Sequence, residues 1–138
     1  PTATFTPEPP TNTPTPSFAF RLSGAPRGWP NCGGMGVYGT VLSVGGDPVG
    51  GYNVQLYFNG APYNKADSRN GFFGATGDRN FEVNIYNIFQ PSGFQVVVMD
   101  GTREVSPRIN VTVNPTSLCH VDQGEPGAQW LQVDFRGN

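Results

Sequence analysis

Apolar residues alternate with polar ones along most of this sequence, and clusters of glycine and proline interrupt the runs. In one run, Phe81, Val83 and Ile85 alternate with Glu82 and Asn84. A period of two places such residues on one face of a β-strand, whereas a helix repeats its apolar residues every three or four positions. No stretch keeps the helical period over three turns. The sequence therefore predicts an all-β protein.

About seven or eight strands are predicted. Their approximate ranges are 18–23, 35–44, 52–59, 80–89, 93–101, 104–113 and 129–136. The stretch 25–34 reads as a loop because it collects Pro, Gly and Asn, and turns are predicted at Asn70–Gly71 and Asp100–Gly101. Pro107 indicates an edge or a bulge in its strand. Short strands joined by turns at this spacing indicate a β-sandwich.

Residues 1–17 differ sharply from the rest. They hold six Pro and six Thr and one charged residue, Glu8. Proline excludes a helix and favours an extended polyproline II conformation. We therefore expect an extended Thr/Pro-rich arm or linker at 1–17, followed by a sandwich domain at 18–138, which is long enough for one hydrophobic core.

Charge excludes one class of partner, and hydropathy excludes another. The eight Lys and Arg residues are scattered and the net charge is -2, so the chain has no basic patch for nucleic acid. No apolar run approaches the 18 residues of a membrane-spanning helix. We therefore expect neither a nucleic-acid partner nor a membrane span.

Cys32 and Cys119 are the two cysteines. Low Lys content and abundant Asn, Thr and Gly suggest an extracellular or cell-surface location, where two cysteines are expected to form a disulfide. Two buried free thiols are the alternative. Because the sequence begins at Pro1, we also expect that a signal peptide has been removed.

No convergent set of reactive side chains is evident, so we expect no enzyme, no cofactor and no metal. His120 is the only histidine, and no G-x-S-x-G motif accompanies it. Asp67, Asn70 and Asp78 offer oxygen ligands that suit calcium, but Asp and Asn also favour turns on their own account. The turn interpretation is preferred.

Aromatic residues could form a sugar-binding platform, although alternate strand positions place most of them in the core. The candidates are Trp29, Tyr52, Tyr57, Tyr63, Phe72, Phe73, Tyr86 and Trp130. Covalent glycans are a separate possibility. Asn110 begins an N-x-T sequon on a predicted strand, and O-glycosylation is better suited to the arm residues Thr2, Thr4, Thr6, Thr11, Thr13 and Thr15.

The stretch GVYGTVLSVGGDPVGGYNVQLYFNG, followed by ADSRNGFF, resembles the carboxypeptidase-regulatory-like and related Ig-like or prealbumin-like modules of bacterial surface proteins. The matching residues are Gly39, Val41, Gly46, Pro48, Gly50, Gly51, Val54, Leu56, Ser68, Gly71 and Phe72. The resemblance implies an Ig-like β-sandwich of about seven strands on a secreted protein. It supplies no catalytic residues, and the two cysteines are not part of the general pattern.

A Thr/Pro-rich arm buries too little apolar surface to fold alone, so another surface must hold it in any ordered state. We expect the arm to dock on a neighbouring copy through Phe5, Phe18, Phe20 and Leu22, as in donor-strand addition. Whether residues 18–23 pair within their own chain or with the neighbour stays open. Such head-to-tail contacts propagate into filaments.

Two functions follow from these expectations. The first is a structural subunit of an extracellular, pilus-like bacterial filament, a homopolymer joined through the arm. The alternative is an accessory Ig-like or carbohydrate-binding module of a larger secreted enzyme or adhesin, with Trp29 or Trp130 contacting the sugar.

Overall fold

The computed structural model describes residues 18–117, 119 and 127–138, and these contain β-strands and no helix. The strands are β1 (Phe20–Leu22), β2 (Arg27–Trp29), β3 (Met35–Gly39), β4 (Val41–Leu42), β5 (Asn53–Phe58), β6 (Ala61–Asp67), β7 (Phe81–Ile85), β8 (Ser92–Asp100), β9 (Arg103–Glu104), β10 (Ile109–Val113), β11 (Trp130–Gln132) and β12 (Phe135–Gly137). The predicted all-β class is confirmed. The predictions for Phe5, the arm threonines and His120 lie outside the described residues.

The strands form three hydrogen-bonded sheets, of which the two that share consecutive strands are described together as one layer. The first layer has the order β10–β8–β5–β6, with β9 paired to β8, and all its pairs are antiparallel. In the second layer β3 pairs in parallel with β11, and β4 continues that register with β12. The second layer therefore has the order β1/β2, β11/β12, β3/β4, β7, where a slash joins two strands that occupy the same place in the order. The pairs β1–β12, β2–β11 and β3–β7 are antiparallel.

One hydrophobic core joins the two layers. Val54 and Leu56 on β5 belong to the same buried cluster as Val37 on β3, Phe81 on β7 and Phe135 on β12, and each of the five is fully buried. Along β5 and β7 the buried positions alternate with more exposed ones, as the period of two requires. The arrangement fits the predicted β-sandwich.

Two Asn-Gly pairs behave differently. Asn59 and Gly60 connect β5 to β6 with φ angles of 51° and 79°, which is the type I′ hairpin turn that this dipeptide favours. The predicted turn at Asn70–Gly71 has no positive φ at either residue. Instead the Asn70 side chain accepts a hydrogen bond of 2.8 Å from the backbone N–H of Gly50, and so joins two loops.

Two strands lie where the sequence predicted none. β2 falls within the stretch predicted as a loop, and it exists because β11 pairs with it from about a hundred residues away. β6 includes Pro62, which a central strand would not tolerate. β6 is the edge strand of the first layer and is paired only with β5 there. The missing N–H of Pro62 therefore does not break hydrogen bonds to a second strand.

The strand that begins the described chain pairs within its own domain. Phe20 lies opposite Gly137 on β12, and its backbone N–H donates to the carbonyl of Val105 at 3.0 Å. Its ring meets the ring of Tyr52 edge-on at 4.9 Å, and Leu22 packs against the same core. Phe20 and Leu22, assigned from the sequence to a subunit contact, therefore serve their own core.

The disulfide between Cys32 and Cys119 is present, as predicted, with the two Cα atoms 4.8 Å apart. It links the loop after β2 to the segment after β10, across 87 residues of sequence. A disulfide fits a protein of an oxidising compartment. The described part of the chain contains no helix of the length and hydrophobicity needed to cross a membrane.

Candidate functional site

The outer face of the second layer carries two tryptophans side by side. Trp29 on β2 lies opposite Trp130 on β11, and Tyr38 on β3 follows on the same face. The alternate residues Leu131 and Val37 point into the core and are buried. The rings therefore cover the outside of the sheet rather than filling the space between the layers.

These rings border an open cavity of about 240 Å³, which we call the tryptophan cleft. It is lined by Trp29, Pro30, Asn31, Tyr38, Arg79, Glu82 and Trp130. Ligand sites commonly combine aromatic walls with a few polar groups of fixed position. The cleft has both elements.

Trp29 is held in place although it is exposed. Its side chain keeps 38% of its surface in solvent, yet its Nε1–H donates to the Gln132 side-chain carbonyl at 3.1 Å. Gln132 in turn donates to the carboxylate of Asp134 at 3.2 Å. The guanidinium of Arg27 lies 4.9 Å from the centre of the indole ring. These contacts fix the orientation of an aromatic surface that faces water.

Trp130 presents a different property. Its ring packs over the backbone of Gly36 and meets the Tyr38 ring edge-on at 6.2 Å. Its indole Nε1–H is buried and has no hydrogen-bond partner within the described part of the chain. A buried donor without a partner is rare in native proteins, because it loses its hydrogen bond to water without replacement.

Arg79 organises the charges at the other side of the cleft. It lies 3.9 Å from the centre of the Tyr38 ring and donates to Asp78 at 2.9 Å and to Glu82 at 3.1 Å. The hydrogen bond from Arg79 holds the pKa of Asp78 below its usual range. Burial disfavours the charged form of Arg79, but the two carboxylates outweigh it and its pKa is raised.

Tyr38 keeps its proton more firmly than a free tyrosine. Burial is the main cause of its raised pKa, and the negative charge of Asp78 adds to it. The phenol is therefore neutral at physiological pH and has both a donor and an acceptor function. A neutral phenol, an ion pair and two indoles are suited to binding a polar ligand with an apolar face.

The three residues considered as calcium ligands, and preferred as turn residues, have separate partners. Asn70 bonds to Gly50, Asp78 bonds to Arg79, and Asp67 lies exposed on β6. Within the ranges that the structure describes, no group of three or more His, Cys, Asp or Glu residues is placed to hold a metal ion.

Most other aromatic candidates from the sequence pack elsewhere. Phe58, Tyr63 and Phe94 form one cluster, with Phe58 stacked on Phe94 at 4.9 Å. Tyr57 lies under Arg108 and Phe73 under Arg69, while Phe72 and Tyr86 are exposed on loops. The sequon residue Asn110 is exposed on β10 and accepts a hydrogen bond from Gln95 at 3.2 Å.

The pairing of Trp29 with Trp130 was not foreseen from the sequence, because the stretch containing Trp29 was taken as a loop. The alternation of Arg27, Gly28 and Trp29 was the available signal, with Gly28 pressed against the backbone of Gly127. A single three-residue alternation is too short to predict a strand by itself.

Comparison with known proteins identifies no relative. No protein-family model matches the sequence, and neither a curated protein nor a solved structure is significantly similar to the chain.

Proposed function

We propose that this chain is an accessory module of a secreted or cell-surface protein and that its tryptophan cleft binds carbohydrate. The observation that carries the proposal is the exposed ring of Trp29, oriented by its hydrogen bond to Gln132 and bordering a cleft with polar walls. A sugar ring has an apolar face of C–H groups and a rim of hydroxyls. An aromatic plane beside fixed donors and acceptors complements both features.

The polar side chains of the lining support the same ligand class. Glu82 and Asn31, which also line the cleft, provide acceptors for the hydroxyl protons of the sugar.

The size of the cleft limits what it holds. At about 240 Å³ it is smaller than most pockets for drug-sized ligands, which begin near 300 Å³. We therefore expect the cleft to take a short segment of a longer glycan, with neighbouring sugar units outside it. In this proposal residues 1–17 serve as the linker to another domain.

The disulfide supports an extracellular location.

We propose self-assembly into an extracellular filament as a second candidate function. One observation favours it. The arm joins the domain at one end of the sandwich, while the exposed ring of Phe89 lies on the loop after β7 at the other end. Head-to-tail contacts between such ends do not close on themselves in general.

A glycan-array screen of the full chain tests the first proposal. We expect binding to one family of glycans and loss of that binding in Trp29→Ala. If the full chain binds no glycan in the screen, the cleft is not a carbohydrate site.

A further inference from the structure

One end of the sandwich exposes apolar side chains on the loop that follows β7. Phe89 keeps 82% of its side-chain surface in solvent and Tyr86 keeps 60%. Together with Phe58 and Ile88 they form a surface that we call the apolar end. It includes an open cavity of about 330 Å³ lined by Phe58, Asn87, Ile88, Phe89, Gln90 and Ser92. Large exposed apolar side chains beside a cavity are one mark of an interaction site.

The loop that carries these rings is tied to the sheet. The Tyr63 hydroxyl accepts a hydrogen bond from the Tyr86 N–H and donates one to the Tyr86 carbonyl, each 2.8 Å long. Phe58, which lines the cavity, stacks on Phe94. The loop is therefore anchored to the sheet at Tyr86, three residues before Phe89.

The arm joins the domain at the opposite end. The Phe18 carbonyl accepts a hydrogen bond from the side chain of Asn138, and Met35 pairs with Ile85 at the end that carries the apolar loop. The run from Met35 to Leu42 corresponds to about 23 Å at roughly 3.3 Å per residue. Because β1 runs toward the apolar end, the chain before Phe18 enters from the far side of the domain.

The arm has the length and the side chain for a contact with another copy. Phe5 is the one aromatic residue in 1–17, and thirteen positions separate it from Phe18. At roughly 3.1 Å per residue in polyproline II, this separation is about 40 Å. If fully extended, such a separation exceeds the roughly 23 Å from Met35 to Leu42.

From these observations we infer that the apolar end binds the arm of a second copy, with the Phe5 side chain in the cavity. The inference rests on the second candidate function, self-assembly, and names the surface that would carry it. The contact joins different surfaces on the two copies, so every copy has one free arm and one free apolar end. Repetition of the contact builds a linear polymer.

Sedimentation velocity of the full chain over a concentration series tests the inference. We expect concentration-dependent association, and at least about tenfold weaker association in Phe5→Ser and in Phe89→Ser, since each loses one buried phenyl ring. Phe72→Ser is the matched control, because Phe72 is half exposed on a different loop. Its association is expected to equal that of the unmodified chain. Circular dichroism checks that all three variants keep the sheet.

Mixing two variants tests whether Phe5 and Phe89 lie on opposite sides of one contact. Phe5→Ser has an intact apolar end and Phe89→Ser has an intact arm, so an equimolar mixture is expected to form dimers and nothing larger. Absence of dimers in the mixture, with each variant monomeric, would show that the arm of one copy does not bind the apolar end of another, and would overturn the inference.

Other outcomes distinguish the surface from self-assembly itself. If association is lost in Phe5→Ser but unchanged in Phe89→Ser, self-assembly stands and the apolar end is not its site. Loss of association in Trp29→Ala alone would place the arm on the tryptophan cleft instead, as aromatic grooves do with proline-rich segments, and would also overturn the inference. A full chain that stays monomeric at all concentrations overturns both.

Discussion

Trp130 lies directly across the backbone of Gly36 in the parallel pair of β11 and β3. A Cβ atom added to Gly36 would lie 2.5 Å from the Trp130 ring and 2.5 Å from the Val83 carbonyl oxygen. No side chain fits between these groups without movement of the sheet or the indole. The position of one wall of the tryptophan cleft therefore depends on the absence of a side chain at residue 36.

Gly36→Ala is expected to lower the free energy of unfolding by about 1–3 kcal/mol, the usual cost of overpacking. Urea denaturation measures the change as a lower midpoint with an unchanged slope. Gly34→Ala is the matched control, because an added Cβ there meets no atom within 4 Å. Equal stability of the two variants would contradict the close packing of Trp130 on residue 36.

Asn80 is fully buried and bonds the loops to the second layer. Its side chain accepts from the Val41 N–H at 2.7 Å and donates to the carbonyls of Val41 and Arg69, each at 3.0 Å. Asn80→Ala leaves these groups without partners, so we expect a loss of about 3 kcal/mol in unfolding free energy. Asn84→Ala, at an exposed position on β7, is expected to change the free energy of unfolding little. A loss below about 1 kcal/mol for Asn80→Ala would show that the network contributes little.

The disulfide is expected to contribute strongly to stability. In the loop-entropy account, a link across 87 residues constrains the unfolded chain by about 4–5 kcal/mol. The double variant Cys32→Ser, Cys119→Ser should therefore unfold at a much lower urea concentration than the oxidised protein. The oxidised protein after addition of a reductant should approach the same midpoint. Identical midpoints with and without the disulfide would refute this expectation.

Asp78 should make stability sensitive to acid. Its pKa is lowered in the folded state by the hydrogen bond from Arg79, so the unfolded chain binds its proton at a higher pH. The stabilisation is complete above about pH 4, the ordinary range of an aspartate, and is lost as the pH falls through the lower folded value. Asp78→Asn should flatten this part of the curve of unfolding free energy against pH. An acid dependence in Asp78→Asn equal to that of the unmodified protein would contradict this role of Asp78.

The sequence predicted those strands whose own residues alternate clearly. β5 and β7 were expected because their buried and exposed positions follow a period of two. The Asn59–Gly60 turn carried an equally local signal, although it was not used. Such features depend on neighbouring residues, so a single sequence contains them.

The features that were not predicted depend on distant residues. β2 is three residues long and exists because Trp130 and its neighbours pair with it from the other end of the chain. The same pairing creates the tryptophan cleft, whose wall residues come from β2, β3, β7 and β11 and from the loops beside them. The pairing of Phe20 stayed open for a related reason, since its alternation predicts a strand but not the partner of that strand.

Isothermal calorimetry of the full chain with the glycan that it binds best tests the central claim most directly. We expect Trp29→Ala to weaken binding at least about tenfold, as a central tryptophan of an interface does, and Phe89→Ala to leave the affinity unchanged. Circular dichroism must show the same sheet content in both variants. Undiminished affinity in Trp29→Ala would contradict the assignment of the tryptophan cleft as a carbohydrate-binding site.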